Sequence, residues 1–204
     1  MTNILVVNSS ALGPHSVSKA LVDNTVEKLK LSHPDANIVI RDVGANPIPH
    51  LTADNVVPEP ETDAQKAARS LSDELIGEVQ VADIVVLGAP MYNFGIPSTL
   101  KAWFDHLLRA GVTFRYTEAG PEGLLKGKRA IVVLSRGGFY SEGPLQVLDA
   151  QEPHLRALLG FVGITDVTYV RAEKLAISPE ERESSIAHAT TEVEAVVNQV
   201  SAAA

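Results

Sequence analysis

Three short stretches hold most of the residues with useful chemistry. The first is Asn8-Ser9-Ser10-Ala11-Leu12-Gly13-Pro14-His15-Ser16-Val17-Ser18, which gathers hydroxyls at the start of an expected helix. Unsatisfied N–H groups and a partial positive charge at a helix N-terminus let serines there hold a phosphate without a lysine. Ser10, Ser16, Val17 and Ser18 are the candidates, although a lone Ser16 would serve equally well as a helix cap. The second stretch, Ala89-Pro90-Met91-Tyr92-Asn93-Phe94-Gly95-Ile96-Pro97, suits a flat heterocycle. Pro97 stiffens its exit, and the Asn93 amide offers both a donor and an acceptor to a pyrimidine edge. Taken singly, Met91 and Phe94 read as packing, but an amide between aromatics wants a hydrogen-bonding partner. The third, Ser135-Arg136-Gly137-Gly138-Phe139-Tyr140, carries paired glycines whose backbone can approach a ligand closely. Gly-Gly fits a plain turn just as well.

Several chemistries are excluded. The dinucleotide fingerprint G-x-G-x-x-G is absent, and Gly127-Lys128 is followed by Arg129 rather than a P-loop Ser or Thr, so a mononucleotide is the expected ligand. Ser135 lies outside a Gly-x-Ser-x-Gly elbow, which argues against a hydrolase. His15, His33, His50, His106, His154 and His188 are scattered without ligand-like pairing, so no metal site is expected. The chain has no cysteine, which leaves redox work to an organic cofactor. A net charge of −8 with no clustered basic face argues against nucleic acid. Met1-Thr2-Asn3 leads straight into a short apolar run, so a cytoplasmic protein with no membrane segment is expected.

The 204 residues, 45% of them hydrophobic, are expected to form one domain over residues 1–204, with fraying at 201–204. Short apolar runs at Ile4–Val7, Ile38–Ile40, Ile84–Gly88, Ala130–Leu134 and Val167–Val170 predict five strands. Helical spacing predicts helices near Ser18–Leu31, Thr62–Val81, Pro97–Arg109, Pro144–Phe161 and Pro179–Val200. Strands apolar on both faces and joined by helical crossovers belong in a parallel sheet covered on both sides. Five βα units fit a doubly wound α/β fold of the flavodoxin-like order 2-1-3-4-5. Its ligand sits beyond the carboxyl ends of the strands, around the switch point between the first and third. The three stretches above are the loops at that end.

Pro90-Met91-Tyr92-Asn93-Phe94, Pro97, Leu100-Lys101, Asp105, Gly111-Val112-Thr113-Phe114-Arg115-Tyr116 and Ser135-Arg136-Gly137-Gly138 together resemble the FMN-dependent NADH-azoreductase and NADH:quinone oxidoreductase family. The resemblance covers nearly the whole chain. It implies FMN held by Ser10 and Ser16–Ser18 at its phosphate and ribityl end, and by Pro90, Met91–Phe94 and Ser135–Gly138 at its ring. It also implies a homodimer with FMN at the subunit interface and Phe114 and Tyr116 lining a partly shared pocket for quinones or azo compounds. Phe94 and Tyr116 are the candidates for bordering the open face of the flavin, with Phe161 a third that could equally be ordinary helix core. NADH or NADPH would be the donor in a ping-pong reaction that requires no protein nucleophile. One departure is the segment 52–63, which is short for the family and bears on substrate range. A flavodoxin-type electron carrier is the main rival, but flavodoxins carry a Thr-x-Thr-Gly-x-Thr phosphate loop unlike the serine loop here. A general NAD(P)H:FMN reductase is a second rival.

Overall fold

The computed structural model describes residues 1–202. Five strands, β1 (Asn3–Asn8), β2 (Asn37–Asp42), β3 (Ile84–Pro90), β6 (Arg129–Ser135) and β7 (Asp166–Ala172), form one parallel sheet in the order β2-β1-β3-β6-β7. Counting sheet strands alone, this is the expected 2-1-3-4-5 arrangement. Val6 of β1 lies level with Ile40 on one side and Val86 on the other, and Val86 is level with Ile131. Helices α1 (Val17–Ser32), α2 (Asp63–Val81), α3 (Ser98–Leu107) and α4 (Glu152–Val162) lie in the crossovers, α5 (Pro179–Ala202) follows the last strand, and the five flank the sheet. Fraying was expected at 201–204; α5 runs through Ser201 and Ala202, and residues 203–204 lie outside the described residues.

Successive strand side chains point to opposite faces, and the core divides accordingly. Ile4 and Val6 join Val22, Ile131 and Val193 under α1 and α5, whereas Leu5 and Val7 join Trp103, Phe104 and Leu155 under α3 and α4. Central β3 is buried at every position. The edge strand β2 departs from the doubly covered pattern, because Ile40 is 65% exposed.

Two further elements differ from the sequence expectation. The helix predicted from Pro144 begins at Glu152: Gly143 turns the chain at φ +75°, Pro144–Leu148 makes a short 3-10 turn, and Asp149 Oδ1 accepts from Gln151 and Glu152 N–H to start α4. Between α3 and β6, an antiparallel hairpin of β4 (Phe114–Thr117) and β5 (Gly120–Gly123) occupies a stretch for which the sequence predicts no element. The hairpin packs on the end of α4, where Gly163 closes the helix at φ +100° and Leu125 N–H donates to Val162 O. Gly123 and Gly163 touch so closely there that a Cβ at Gly123 would lie 2.1 Å from Gly163 N.

Candidate functional site

The serine loop leaves β1 at the switch point and enters α1. Ser16 caps that helix, its Oγ accepting from Lys19 N–H at 3.1 Å, and the Ser18 hydroxyl lies 3.1 Å from it. Helix geometry leaves the N–H groups of Val17 and Ser18 with no carbonyl in the preceding turn, so a donor pair remains for an anion. Ser10 faces the second loop, with its Oγ 3.1 Å from the Tyr92 hydroxyl, which in turn accepts from Ala11 N–H at 3.0 Å. Tyr92 therefore ties the first and second loops together. Beneath them, Gly44, just after β2, touches the Ser10 backbone; a Cβ there would lie 2.3 Å from Ser10 O. Asn8, at the carboxyl end of β1, keeps a buried Oδ1 without a hydrogen bond.

The second loop folds into a two-residue reverse turn. Tyr92 and Gly95 exchange both backbone hydrogen bonds, at 3.0 and 3.1 Å, and the central residues Asn93 and Phe94 stand at φ +48° and +71°. Positive φ at both central positions is the hairpin turn that usually recruits glycine, so Phe94 is strained. The turn is held from outside: Met91 N–H donates to Ser135 O and Ala150 N–H to Phe94 O. The exposed Asn93 amide makes no hydrogen bond among the described residues, and Pro90 ends β3 level with Ser135.

In the third loop, the carbonyls of Arg136, Gly137 and Gly138 accept from Leu175, Ala176 and Lys174 N–H. Among the described residues, the N–H groups of Gly137 and Gly138 have no protein partner. Arg136 points its side chain elsewhere. Its guanidinium is wholly buried, with Nε on Gln151 Oε1 at 2.8 Å, Nη1 on Glu173 at 3.1 Å, and Nη2 on Asp149 at 2.9 Å and Glu152 at 3.5 Å. Its backbone is engaged as well, the N–H donating to Ala172 O and the carbonyl accepting from Leu175 N–H. Burial alone would raise the Glu173 carboxyl, but the Ser141 hydroxyl, Tyr140 N–H and Arg136 outweigh it and hold the group below its ordinary value. Glu152 is likewise lowered, Arg171 and Arg156 overcoming its burial.

The aromatic residues fall into two groups. Phe94 meets Tyr140 edge-on at 6.1 Å, while Phe114 contacts Tyr116 at 5.6 Å and Phe161 at 4.6 Å. Phe94 is bonded to the entry of α4 and Phe161 stands near its exit, so about 11 residues at ~1.5 Å rise separate them by roughly 16 Å. No ring contact joins the two groups among the described residues. Segment 52–63 lies with the second group: Arg69 holds the Val57 and Pro58 carbonyls, and Val56 and Pro58 border a cleft that includes Leu108, Val112 and Phe114. His15 is exposed, and buried His106 meets Pro49 O at 2.9 Å. Among the described residues no group of three or more His, Asp or Glu could hold a metal, and no helix is long and apolar enough to cross a membrane. Sequence reasoning missed Gly44 and Gln151, whose roles come from contacts distant in the chain.

Serine hydroxyls and free amides at a helix start, together with unpaired amides on two neighbouring loops, fit a mononucleotide carrying a phosphate and a flat ring. An open parallel sheet with these loops beyond its carboxyl edge defines a flavodoxin-like protein. A family model described as flavodoxin-like fold matches residues 2–197. The chain is similar to an FMN-dependent NADH:quinone oxidoreductase of Hyphomonas neptunium, 52% identical with all of both chains covered. It is also similar to the solved azoreductase of Bacillus anthracis strain Sterne, 30% identical with a TM-score of 0.90 over 98% of this chain and 100% of that one. A FMN-dependent NADH-azoreductase from the Ames Ancestor strain, solved in complex with FMN, superposes with a TM-score of 0.88 at 26% identity over 98% of this chain and 100% of that one. The chain belongs to the flavodoxin-like family of FMN-dependent NADH:quinone oxidoreductases.

Proposed function

We propose that this chain is an FMN-dependent reductase that passes two electrons from NADH to quinones or azo compounds. The observation that carries the reading is the set of unengaged donors on three loops around one switch point, the Val17 and Ser18 N–H groups, the Asn93 side-chain amide and the Gly137 and Gly138 N–H groups, a cradle for phosphate at α1 and for a ring between Asn93 and Gly138. Val17 and Ser18 N–H, with the Ser10, Ser16 and Ser18 hydroxyls, bind the phosphate and ribityl end. Met91 to Phe94 and Ser135 to Gly138 hold the ring, with Asn93 toward its polar edge and Gly137 and Gly138 N–H meeting negative charge. When bound, FMN supplies the chemistry, accepting from NADH and reducing the acceptor in a ping-pong order.

The protein's part is positioning and exclusion. Phe94 and Tyr116 give flat apolar walls for stacking, with Phe161 joined to Tyr116 through Phe114. Since Phe94 and the Phe114 cluster that holds Tyr116 and Phe161 stand at opposite ends of α4, one chain does not close a pocket around Phe94, Tyr116 and Phe161. A homodimer in which one copy's hairpin faces the other's Asn93–Phe94 turn accounts for this, and it accounts for Tyr116 being 74% exposed in a single chain. NADH alone, added anaerobically to the flavin-loaded protein, should bleach its visible absorbance. Reciprocal rate plots at several quinone concentrations should be parallel. A flavin left oxidised by NADH would end the reading, and intersecting lines would end the ping-pong order.

A further inference from the structure

We propose that Gln151 is a positioning residue that fixes the gap between the Asn93–Phe94 turn and the Ser135–Gly138 loop, and through that gap the fit of the cofactor ring. The inference rests on the reading of those loops as an FMN cradle. β3 and β6 run paired as far as Pro90 and Ser135, with Met91 N–H donating to Ser135 O. Beyond that point they part. The chain after β3 turns toward Ser10 through Tyr92, while Arg136 N–H donates to Ala172 O of β7. Gln151 stands in the fork. It is 0% exposed, its Nε2 donates to Ala89 O at 2.7 Å, and its Oε1 accepts from Arg136 Nε at 2.8 Å.

A buried amide is tolerated only when both its ends are satisfied, and here one end is satisfied by β3 just before the fork, at Ala89, and the other by Arg136 just beyond it. The preceding residue adds a third tie, Ala150 N–H to Phe94 O at 3.0 Å. Asp149 then fixes Gln151 itself, its Oδ1 accepting from Gln151 N–H at 2.9 Å while its Oδ2 takes Arg136 Nη2. The entry of α4 is therefore a strut with one end on each ring-holding loop. None of these side chains presents itself to the ligand, so the strut acts on the cofactor only through the backbone it places. Loss of the amide would leave Arg136 Nε unpaired and take a donor from Ala89 O, and the two loops would be free to settle at another separation.

The test titrates the full-length chain with FMN, read by flavin fluorescence, in wild type, Gln151→Leu and Gln151→Glu. The control is Val196→Ala, a buried α5 position under the opposite face of the sheet. The control should melt at a lower temperature and keep its FMN affinity, because a merely structural loss does not reach the loops. Gln151→Leu, which removes both hydrogen bonds, should raise the FMN dissociation constant at least fivefold relative to the control and alter the visible spectrum of the bound flavin. If Gln151→Leu yields no folded protein, Gln151→Glu decides by the same fivefold threshold, since it keeps the acceptor for Arg136 and loses the donor to Ala89. A smaller difference from the control, with wild type binding FMN, overturns the inference alone. A wild-type chain that takes up no FMN overturns the proposed function and this inference with it.

Discussion

At Ser16 one hydroxyl serves two neighbours, accepting from Lys19 N–H and touching the Ser18 hydroxyl. Capping and ligand binding are therefore not rival roles for this residue, because a hydroxyl has two acceptor lone pairs and a donor proton. Replacing Ser16 and Ser18 together by alanine should weaken FMN binding by about 1–3 kcal/mol, the range for hydrogen bonds to a charged group. Unchanged flavin affinity in the double variant would refute the phosphate assignment. Gly44 makes the complementary case. A methyl group there has no room beside Ser10 O, so Gly44→Ala must push the first loop. Flavin titration should show weaker binding and a melt should show lower stability, and equal affinity would mean that the loop's placement does not matter. Ser10, Tyr92 and Ser16 were legible in the sequence because serines before a helix and an aromatic after a strand signal their settings locally. Gly44 is one glycine among 14, and only the fold brings it under Ser10.

Among the elements, the turn at Asn93 and Phe94 stores strain in a small space. A left-handed backbone costs a residue with a Cβ roughly 1–2 kcal/mol, and a β-branched one more. Phe94→Val should therefore destabilise the protein by about 1–3 kcal/mol relative to Phe94→Gly, in which relief of strain offsets lost packing. Denaturant melts of the two variants measure the difference, and equal midpoints would show that the turn relaxes freely. The sequence showed the five sheet strands because each is a compact apolar run between turn signals. It did not show the β4–β5 hairpin, whose strands are four residues each and read Phe-Arg-Tyr-Thr and Gly-Pro-Glu-Gly, with little apolar alternation. The late start of α4 was hidden for a different reason. Pro144, Leu145 and Leu148 mimic a helical face, and the stop depends on Asp149 turning back to cap the residues after it. Gln151 was invisible for the same cause, since an isolated glutamine gives no sign that both its ends will be bonded.

Across the whole molecule, the buried ion cluster links acid to cofactor retention. Glu173 and Glu152 are held below the ordinary carboxyl value of 4.5, so the folded state favours their charged forms. A depressed carboxyl contributes stability that is present above 4.5 and is lost as the pH falls through its folded value. Flavin release should therefore accompany acidification below about pH 4.5, with a falling melting temperature, as Glu173 lets go of Tyr140 and Ser141. Glu173→Gln should flatten that acid limb, and identical acid profiles for the variant and the wild type would sink the link. The proposed homodimer belongs to this scale too: light scattering at working concentration should give twice the chain's mass, and a fully active monomer would refute a shared pocket.

The open sheet also has a consequence for the birth of the protein. The proposed cradle is assembled from the ends of β1, β3 and β6, and the strut that spaces them comes from α4, so no short stretch of a nascent chain contains the whole of it. As the chain leaves the ribosome, the serine loop emerges early and waits, with nothing to offer a flavin but a helix start. Capture at full affinity begins only after Gln151 has cleared the exit tunnel and the earlier strands have closed around β3. Vitamin supply would then act on finished chains, rescuing them from proteolysis after synthesis rather than guiding their folding during it.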